Sequence, residues 1–175
     1  MEHALVTLQH LDRLNSNHIH VLRLLSYVYQ HVEYWMALSQ LLPDLKRRRV
    51  MSKDQLSVFE QRIYVQLLLH PKLSFELVQK IWRDMPRSYH VYPQLVAAYV
   101  GHSAKDDAQQ ALKLISASLA KQWDVPLIKL YGDVASRLED SSSAFVMAEK
   151  WLQQHPGDPE LLLCLGRLSI AQKIW

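Results

Sequence analysis

The histidines are the side chains of this sequence best suited to binding a metal ion, since a neutral imidazole is a common metal ligand, and there are nine of them. His18 and His20 stand two residues apart at the start of a predicted helix, a spacing that puts two side chains on different faces. The sequences His-Glu-x-x-His and Cys-x-x-Cys-His, typical of zinc enzymes and of haem attachment, do not occur. We therefore predict surface or capping histidines, no metal site and no cofactor, with a haem or metal ligand as the alternative, for which His102 is a further candidate.

A thiol nucleophile for covalent catalysis could only be Cys164, the single cysteine. Leu163 and Leu165 flank it, which favours a small packing residue within a helix. No Gly-x-Ser-x-Gly elbow, Walker loop or Gly-x-Gly-x-x-Gly sequence is present. We predict no catalytic residues and no enzyme activity. A lone cysteine is also typical of a reducing compartment.

The densest charge run is Lys46, Arg47, Arg48 and Arg49. Four cations at the end of a helix stabilise the negative end of its dipole, and this is the simpler interpretation. The functional alternative is contact with anionic lipid or with an acidic partner.

Composition sets limits on the class of protein. The 175 residues are 49% hydrophobic and 21% charged, which is typical of one folded domain, predicted over residues 1–175. The net charge of +3 is too small to indicate nucleic acid as a partner. No apolar run approaches the roughly 18 residues of a membrane span, so we expect a soluble chain.

Apolar residues recur at spacings of three and four along nearly the whole chain, as at Leu161, Leu165 and Leu168. With four glycines and no Asn-Gly or Asp-Gly dipeptide, strands are not expected. The sequence therefore predicts an all-α fold of about ten helices whose short connections make antiparallel hairpins. The predicted helices span 4–14, 18–32, 34–48, 53–69, 74–84, 91–102, 104–121, 125–138, 142–154 and 159–173.

The helix boundaries follow from capping residues and prolines. Capping-box spacing occurs at Ser52–Gln55 and at Ser103–Asp106. Asp158–Pro159 combines an N-cap residue with a proline at the first helical position. We also place Pro43 near a helix end, because a proline inside a helix removes a backbone hydrogen bond.

The strongest sign of internal repetition is the spacing of two glycines, Gly132 and Gly166, for which 166 − 132 = 34, the tetratricopeptide period. In the same register Ala144 and Pro156 fall where that repeat has a small residue and a proline. Small residues allow the two helices of a hairpin to approach closely. The pattern predicts an α-solenoid of tetratricopeptide-like hairpins, a right-handed superhelix.

Several longer segments extend this pattern over nearly the whole chain. They are Ala4-Leu5 with Leu8 and Leu11, residues 20–24, Trp35 with Leu41-Leu42-Pro43, Ala111 with Leu119 and Lys121-Gln122, residues 159–162, residues 165–167, and Trp175. With these features the chain resembles the carboxy-terminal tetratricopeptide domain of the HemY-type haem-biosynthesis proteins of proteobacteria.

The resemblance implies a bacterial inner-membrane protein with an amino-terminal membrane anchor, of which this chain is a soluble fragment on the cytoplasmic face. The unpaired first and last helices also predict that the chain is cut within the repeat series at both ends. The resemblance further implies a protein-protein interaction scaffold whose partners include late haem-pathway enzymes. A direct haem or porphyrin carrier and an adaptor for envelope assembly are the alternatives. The unfinished last hairpin also predicts self-association through residues 159–175, which light scattering at rising concentration checks.

Solenoids of this kind bind partners along the groove lined by their first helices. The register assigns one set of residues to that groove. They are Tyr92, Tyr99, Lys129, Asp133, Arg137, Leu163 and Arg167. Asp133 stands where carboxylate-binding repeats have an asparagine, so binding of a chaperone's terminal carboxylate is not favoured.

Overall fold

The computed structural model describes residues 6–11, 18–71 and 73–172. Throughout that part of the chain every regular element is a helix and no strand forms, which confirms the predicted all-α class. The chain divides into two compact units, Met1–His70 and Pro71–Trp175. The prediction of a single domain over 1–175 stays a prediction.

The first unit contains a helical segment at 6–11 (α1) and three longer helices, α2 (Ile19–His31), α3 (Trp35–Arg47) and α4 (Lys53–Leu68). Helix α3 packs against both α2 and α4. The contact buries one leucine-rich stripe from each helix, including Leu25, Leu38 and Ile63. The parts of the predicted helix 4–14 beyond residues 6–11 lie outside the described residues.

The placement of Pro43 near a helix end is wrong. Pro43 lies inside α3, which continues to Arg47. Proline at this position leaves the carbonyl of Ser39 without its usual helical donor. Leu42 and Leu45 on either side are buried, and the burial of these core residues favours continuing the helix across the exposed proline.

The second unit contains six α-helices within the described residues and a short 3-10 helix, Arg87–Tyr89. They are α5 (Phe75–Asp84), α6 (Pro93–Ser103), α7 (Ala108–Leu119), α8 (Val125–Ala135), α9 (Ser142–Gln154) and α10 (Pro159–Ala171). Helix α8 contacts α6, α7 and α10, and α10 also contacts α9. Helices α6, α8 and α10 therefore form one layer.

Two of the three predicted caps are confirmed. Ser52 and Gln55 form a reciprocal capping box, with N–H to oxygen distances of 3.2 Å in both directions. The Asp158 carboxylate accepts the backbone N–H groups of Glu160 and Leu161 at the start of α10. The predicted box at Ser103–Asp106 is wrong.

Helix α7 begins at Ala108 and not at 104, because Asp107 is its N-cap and accepts the Gln110 N–H at 2.8 Å. Ser103 is instead buried in the last turn of α6. The charged carboxylate of Asp107 accepts a stronger hydrogen bond than a serine hydroxyl does. The two neighbouring aspartates, Asp106 and Asp107, made the local signal ambiguous.

Candidate binding face on helices α8 and α10

Helices α8 and α10 meet at a glycine. A Cβ atom built on Gly132 would lie 3.0 Å from the Sγ atom of Cys164 and 3.4 Å from its Cα atom. The 3.0 Å separation is shorter than ordinary van der Waals contact, and 3.4 Å is at its lower limit. The small residue expected at this position is thus required by the close approach of α10.

One period also separates the two charged residues that meet across this contact. Arg167 Nη1 lies 2.8 Å from Asp133 Oδ1, and 167 − 133 = 34. The side chains are 39% and 41% exposed, so the pair contributes at most about 1 kcal/mol to stability. Two residues predicted for the groove therefore pair with one another, and the Asp133 carboxylate partly neutralises Arg167.

The remaining predicted contacts on these helices are exposed. Lys129 lies on α8. Leu163 lies on α10, and 53% of the surface of Leu163 is accessible to solvent. Arg137 is also exposed, but α8 ends at Ala135 and not at 138, which leaves Arg137 in the following turn. We call Lys129, Asp133, Leu163 and Arg167 the α8–α10 face.

Tyr92 and Tyr99 have different environments. Tyr99 is 8% exposed and stacks on Trp82 with ring centroids 4.2 Å apart. Burial, followed by the nearby carboxylate of Asp107, raises the pKa of Tyr99. Tyr99 thus belongs to the core beneath α6, and little of its ring is left for a partner. Tyr92, the N-cap residue of α6, is exposed.

The basic run lies in the first unit, where all four side chains are exposed at the end of α3. Arg47 pairs with Asp44 at 2.7 Å. Arg49 adopts a positive φ of 51°, and the following N–H, that of Val50, donates to the Leu45 carbonyl at 3.1 Å. These contacts form a Schellman turn. The basic run therefore lies at the carboxyl end of α3, where positive charges stabilise the negative end of the helix dipole.

Cys164 is fully buried against α8. Burial raises the pKa of its thiol to about 11, an effect that Arg167 opposes and Asp133 reinforces. The thiol is therefore protonated at neutral pH and serves as a small packing group opposite Gly132.

His18 and His20 are both exposed, with ring centroids 5.6 Å apart. They approach one another because His18, the N-cap residue of α2, has an extended backbone. The rule that residues two apart lie on different faces holds only inside a helix, and His18 precedes it. Within the described ranges, no three His, Cys, Asp or Glu side chains come together as a set that could hold a metal ion.

The sequence reasoning missed an aromatic cluster at the start of α10. The indole N–H of Trp123 donates to Asp158 Oδ2 at 3.0 Å, and the His155 ring stacks on Trp123 with centroids 3.6 Å apart. Trp151 meets Trp123 edge-on at 6.0 Å. The separation of Trp123 and Asp158 along the chain exceeds the 34-residue period by one residue, and this spacing could have indicated their contact.

Asp158 provides a pH-dependent test of this cluster. The Trp123 hydrogen bond is the main cause that lowers the Asp158 pKa below 3.8. Because the folded-state pKa is depressed, the stabilisation is present above the unfolded-state pKa and is lost as pH falls through the folded-state pKa. We expect Asp158→Asn to lower the free energy of unfolding by about 1 kcal/mol at pH 7, because N–H groups bond more strongly to a charged carboxylate than to a neutral amide oxygen. In urea titrations this difference should shrink below pH 3.8.

Asp106→Asn, at an exposed position on the loop before α7, is the control and should leave the free energy of unfolding unchanged at pH 7. A difference between wild type and Asp158→Asn that stays constant down to pH 2 would contradict the assigned role of the carboxylate.

Comparisons with known proteins identified no relative: no protein-family model, no curated protein and no solved structure matches the chain. In the part of the chain that the structure describes, no helix combines the length and apolar character needed to cross a membrane.

Proposed function

We propose that this chain is a non-catalytic helical-repeat scaffold of the tetratricopeptide type, which holds a segment of a partner protein on the α8–α10 face. The observation that carries the proposal is the ion pair between Asp133 and Arg167. It joins two helices at equivalent positions of a 34-residue repeat, as expected where first helices of successive hairpins lie side by side.

The succession of contacts among helices supports the same architecture. Helix α6 contacts α8, and α8 contacts α10, which is the arrangement of first helices in a solenoid. A right-handed superhelix of such hairpins is the proposed continuation of this pattern. Its extended layer of first helices leaves side chains free for a partner.

The chemistry of the α8–α10 face indicates the kind of segment that it accepts. Asp133 and Arg167 neutralise one another, while Lys129 and Leu163 are exposed. A peptide with apolar side chains and a carboxylate near Lys129 complements this surface. Because the chain resembles the HemY-type haem-biosynthesis proteins, the proposed partners are late haem-pathway proteins at the bacterial inner membrane.

Helix α10 also carries an exposed apolar stripe. Leu162 is 50% exposed, whereas Ile128, one period earlier on α8, is fully buried. A Cβ atom on Gly166 would meet no atom within 4 Å, in contrast to Gly132. This contrast supports the proposal of self-association through residues 159–175, of which 173–175 lie outside the described residues.

Site-specific crosslinking tests the scaffold proposal. With a photoreactive amino acid at Leu163 in the full-length protein, we expect covalent adducts to a defined partner protein. The double variant Lys129→Glu, Arg137→Glu should reduce adduct yield on the order of tenfold, because like charges oppose an acidic segment. The same photoreactive residue at Val58, which is exposed on α4, is the control and should give no such adduct.

A haem titration separates the scaffold from the carrier alternative. A scaffold leaves the Soret band of added haem unchanged, whereas a carrier shifts it at one equivalent. A shift at one equivalent together with the loss of specific adducts at Leu163 would overturn the scaffold proposal in favour of the carrier.

A further inference from the structure

A crevice runs between α7 and α9, the second helices of two successive hairpins. Two cavities open along it, with volumes of about 500 Å³ and 330 Å³. Met147 lines both, so the cavities adjoin one another. The larger lies at the carboxyl ends of α7 and α9, and the smaller lies toward their amino ends.

The larger cavity has a preformed aromatic wall. The Trp123 ring stacks on His155 and meets the Trp151 ring at an interplanar angle of 80°, and its indole N–H donates to Asp158. Trp151 is in turn packed against Tyr131, with ring centroids 4.8 Å apart. Side chains that are already fixed lose little conformational entropy when a ligand binds to them.

The charged residues that line the crevice are mostly basic. Lys121 and Lys150 belong to the larger cavity, and Lys113 and Asp140 belong to the smaller one. Three cations against one anion leave an excess of 3 − 1 = 2 positive charges. Among the residues that the structure describes, neither Lys121 nor Lys150 takes part in a salt bridge.

From the aromatic wall and these lysines we infer that the crevice between α7 and α9 binds an acidic peptide segment of a partner protein. An apolar side chain of the segment enters the cavity beside Trp123 and Trp151, and its carboxylates pair with Lys121 and Lys150. Aromatic anchors with a charged rim are typical of peptide-binding surfaces.

The shape of the crevice favours a peptide over a compact small molecule. The two cavities follow α7, whose 12 residues extend over about 18 Å at 1.5 Å per residue. A chain of about five extended residues covers that distance. The site uses the second helices, so it is separate from the α8–α10 face and does not depend on the function proposed for that face.

The test uses two synthetic peptides, acetyl-Glu-Asp-Trp-Leu-Asp-Glu-amide and the same peptide with all four acids replaced by lysine. Binding is followed by isothermal titration calorimetry and by the indole N–H signals in two-dimensional NMR spectra. We expect the acidic peptide to bind and to shift the signals of Trp123 and Trp151, and the basic peptide to do neither.

Charge-reversal variants locate the site. Lys121→Glu with Lys150→Glu should raise the Kd of the acidic peptide on the order of tenfold or more. Lys129→Glu with Arg137→Glu, on and beside the α8–α10 face, should leave that Kd unchanged, so failure of the crevice and failure of the scaffold proposal are distinguishable. Both variants change exposed residues, and circular dichroism verifies that they fold.

Three results would overturn the inference. One is equal binding of the basic peptide. Another is an unchanged Kd in the Lys121→Glu, Lys150→Glu variant or an absence of shifts at Trp123 and Trp151. The third is stronger binding to phosphatidylglycerol vesicles than to the acidic peptide, which would assign the lysines to a lipid surface.

Discussion

Replacing Gly132 with leucine is expected to lower the free energy of unfolding of the second unit by about 3 kcal/mol, because the side chain has no room between α8 and α10. Even the first added carbon would lie 3.0 Å from Cys164 Sγ and 3.4 Å from the Cα atom of the same residue. Helix α10 would have to move away from α8. Urea unfolding followed by circular dichroism measures the loss.

Gly166→Leu is the matched control, since Gly166 occupies the equivalent position one period later. A Cβ atom there meets nothing within 4 Å. The substitution should leave stability unchanged or raise it by about 0.5 to 1 kcal/mol, because leucine favours a helix more than glycine does. Equal losses for the two variants would show that the contact between Gly132 and Cys164 is not the cause.

The second large effect is expected for Trp151→Ala, which should lower the free energy of unfolding by about 3 to 5 kcal/mol. Trp151 is 7% exposed and fills the space beside Tyr131 and Trp123. Its removal leaves a cavity and takes away two edge-to-face aromatic contacts. Thermal and urea unfolding, monitored by circular dichroism, give the change.

Trp151→Phe serves as the comparison, because phenylalanine keeps an aromatic ring at the site and leaves a smaller cavity. Its loss should be well under half of that of the alanine variant. A loss below about 1 kcal/mol for Trp151→Ala would contradict the buried position of the ring. Because Trp151→Ala is expected to destabilise the fold, peptide binding in the crevice is tested with lysine variants and not with tryptophan variants.

The proposed crevice and the proposed α8–α10 face give the second unit two surfaces with different determinants. One combines tryptophan side chains with Lys121 and Lys150. The other combines an ion pair with exposed Lys129 and Leu163. A scaffold with both surfaces could hold two partner segments at once, and the two pairs of charge-reversal variants would impair these interactions independently.

Helix positions were predictable where local interactions determine them. The predicted spans 142–154 and 74–84 agree to within a residue with α9 (Ser142–Gln154) and α5 (Phe75–Asp84). Apolar periodicity and capping act within a few residues of sequence, so they can be recognised without knowing the tertiary contacts. The errors arose where two adjacent residues competed for one cap, as at the start of α7, or where core packing outweighed a local signal, as at Pro43.

The sequence by itself determined the all-α class, most helix ends and the 34-residue spacing that relates Gly132 to Gly166. Only the tertiary structure decided that Tyr99 is buried on Trp82, that Asp133 pairs with Arg167, and that a crevice with an aromatic wall separates α7 from α9. The physical reason is the distance along the chain over which each interaction acts. Periodicity and caps depend on neighbouring residues, whereas these contacts depend on which faces of different helices come together and in which direction each side chain points.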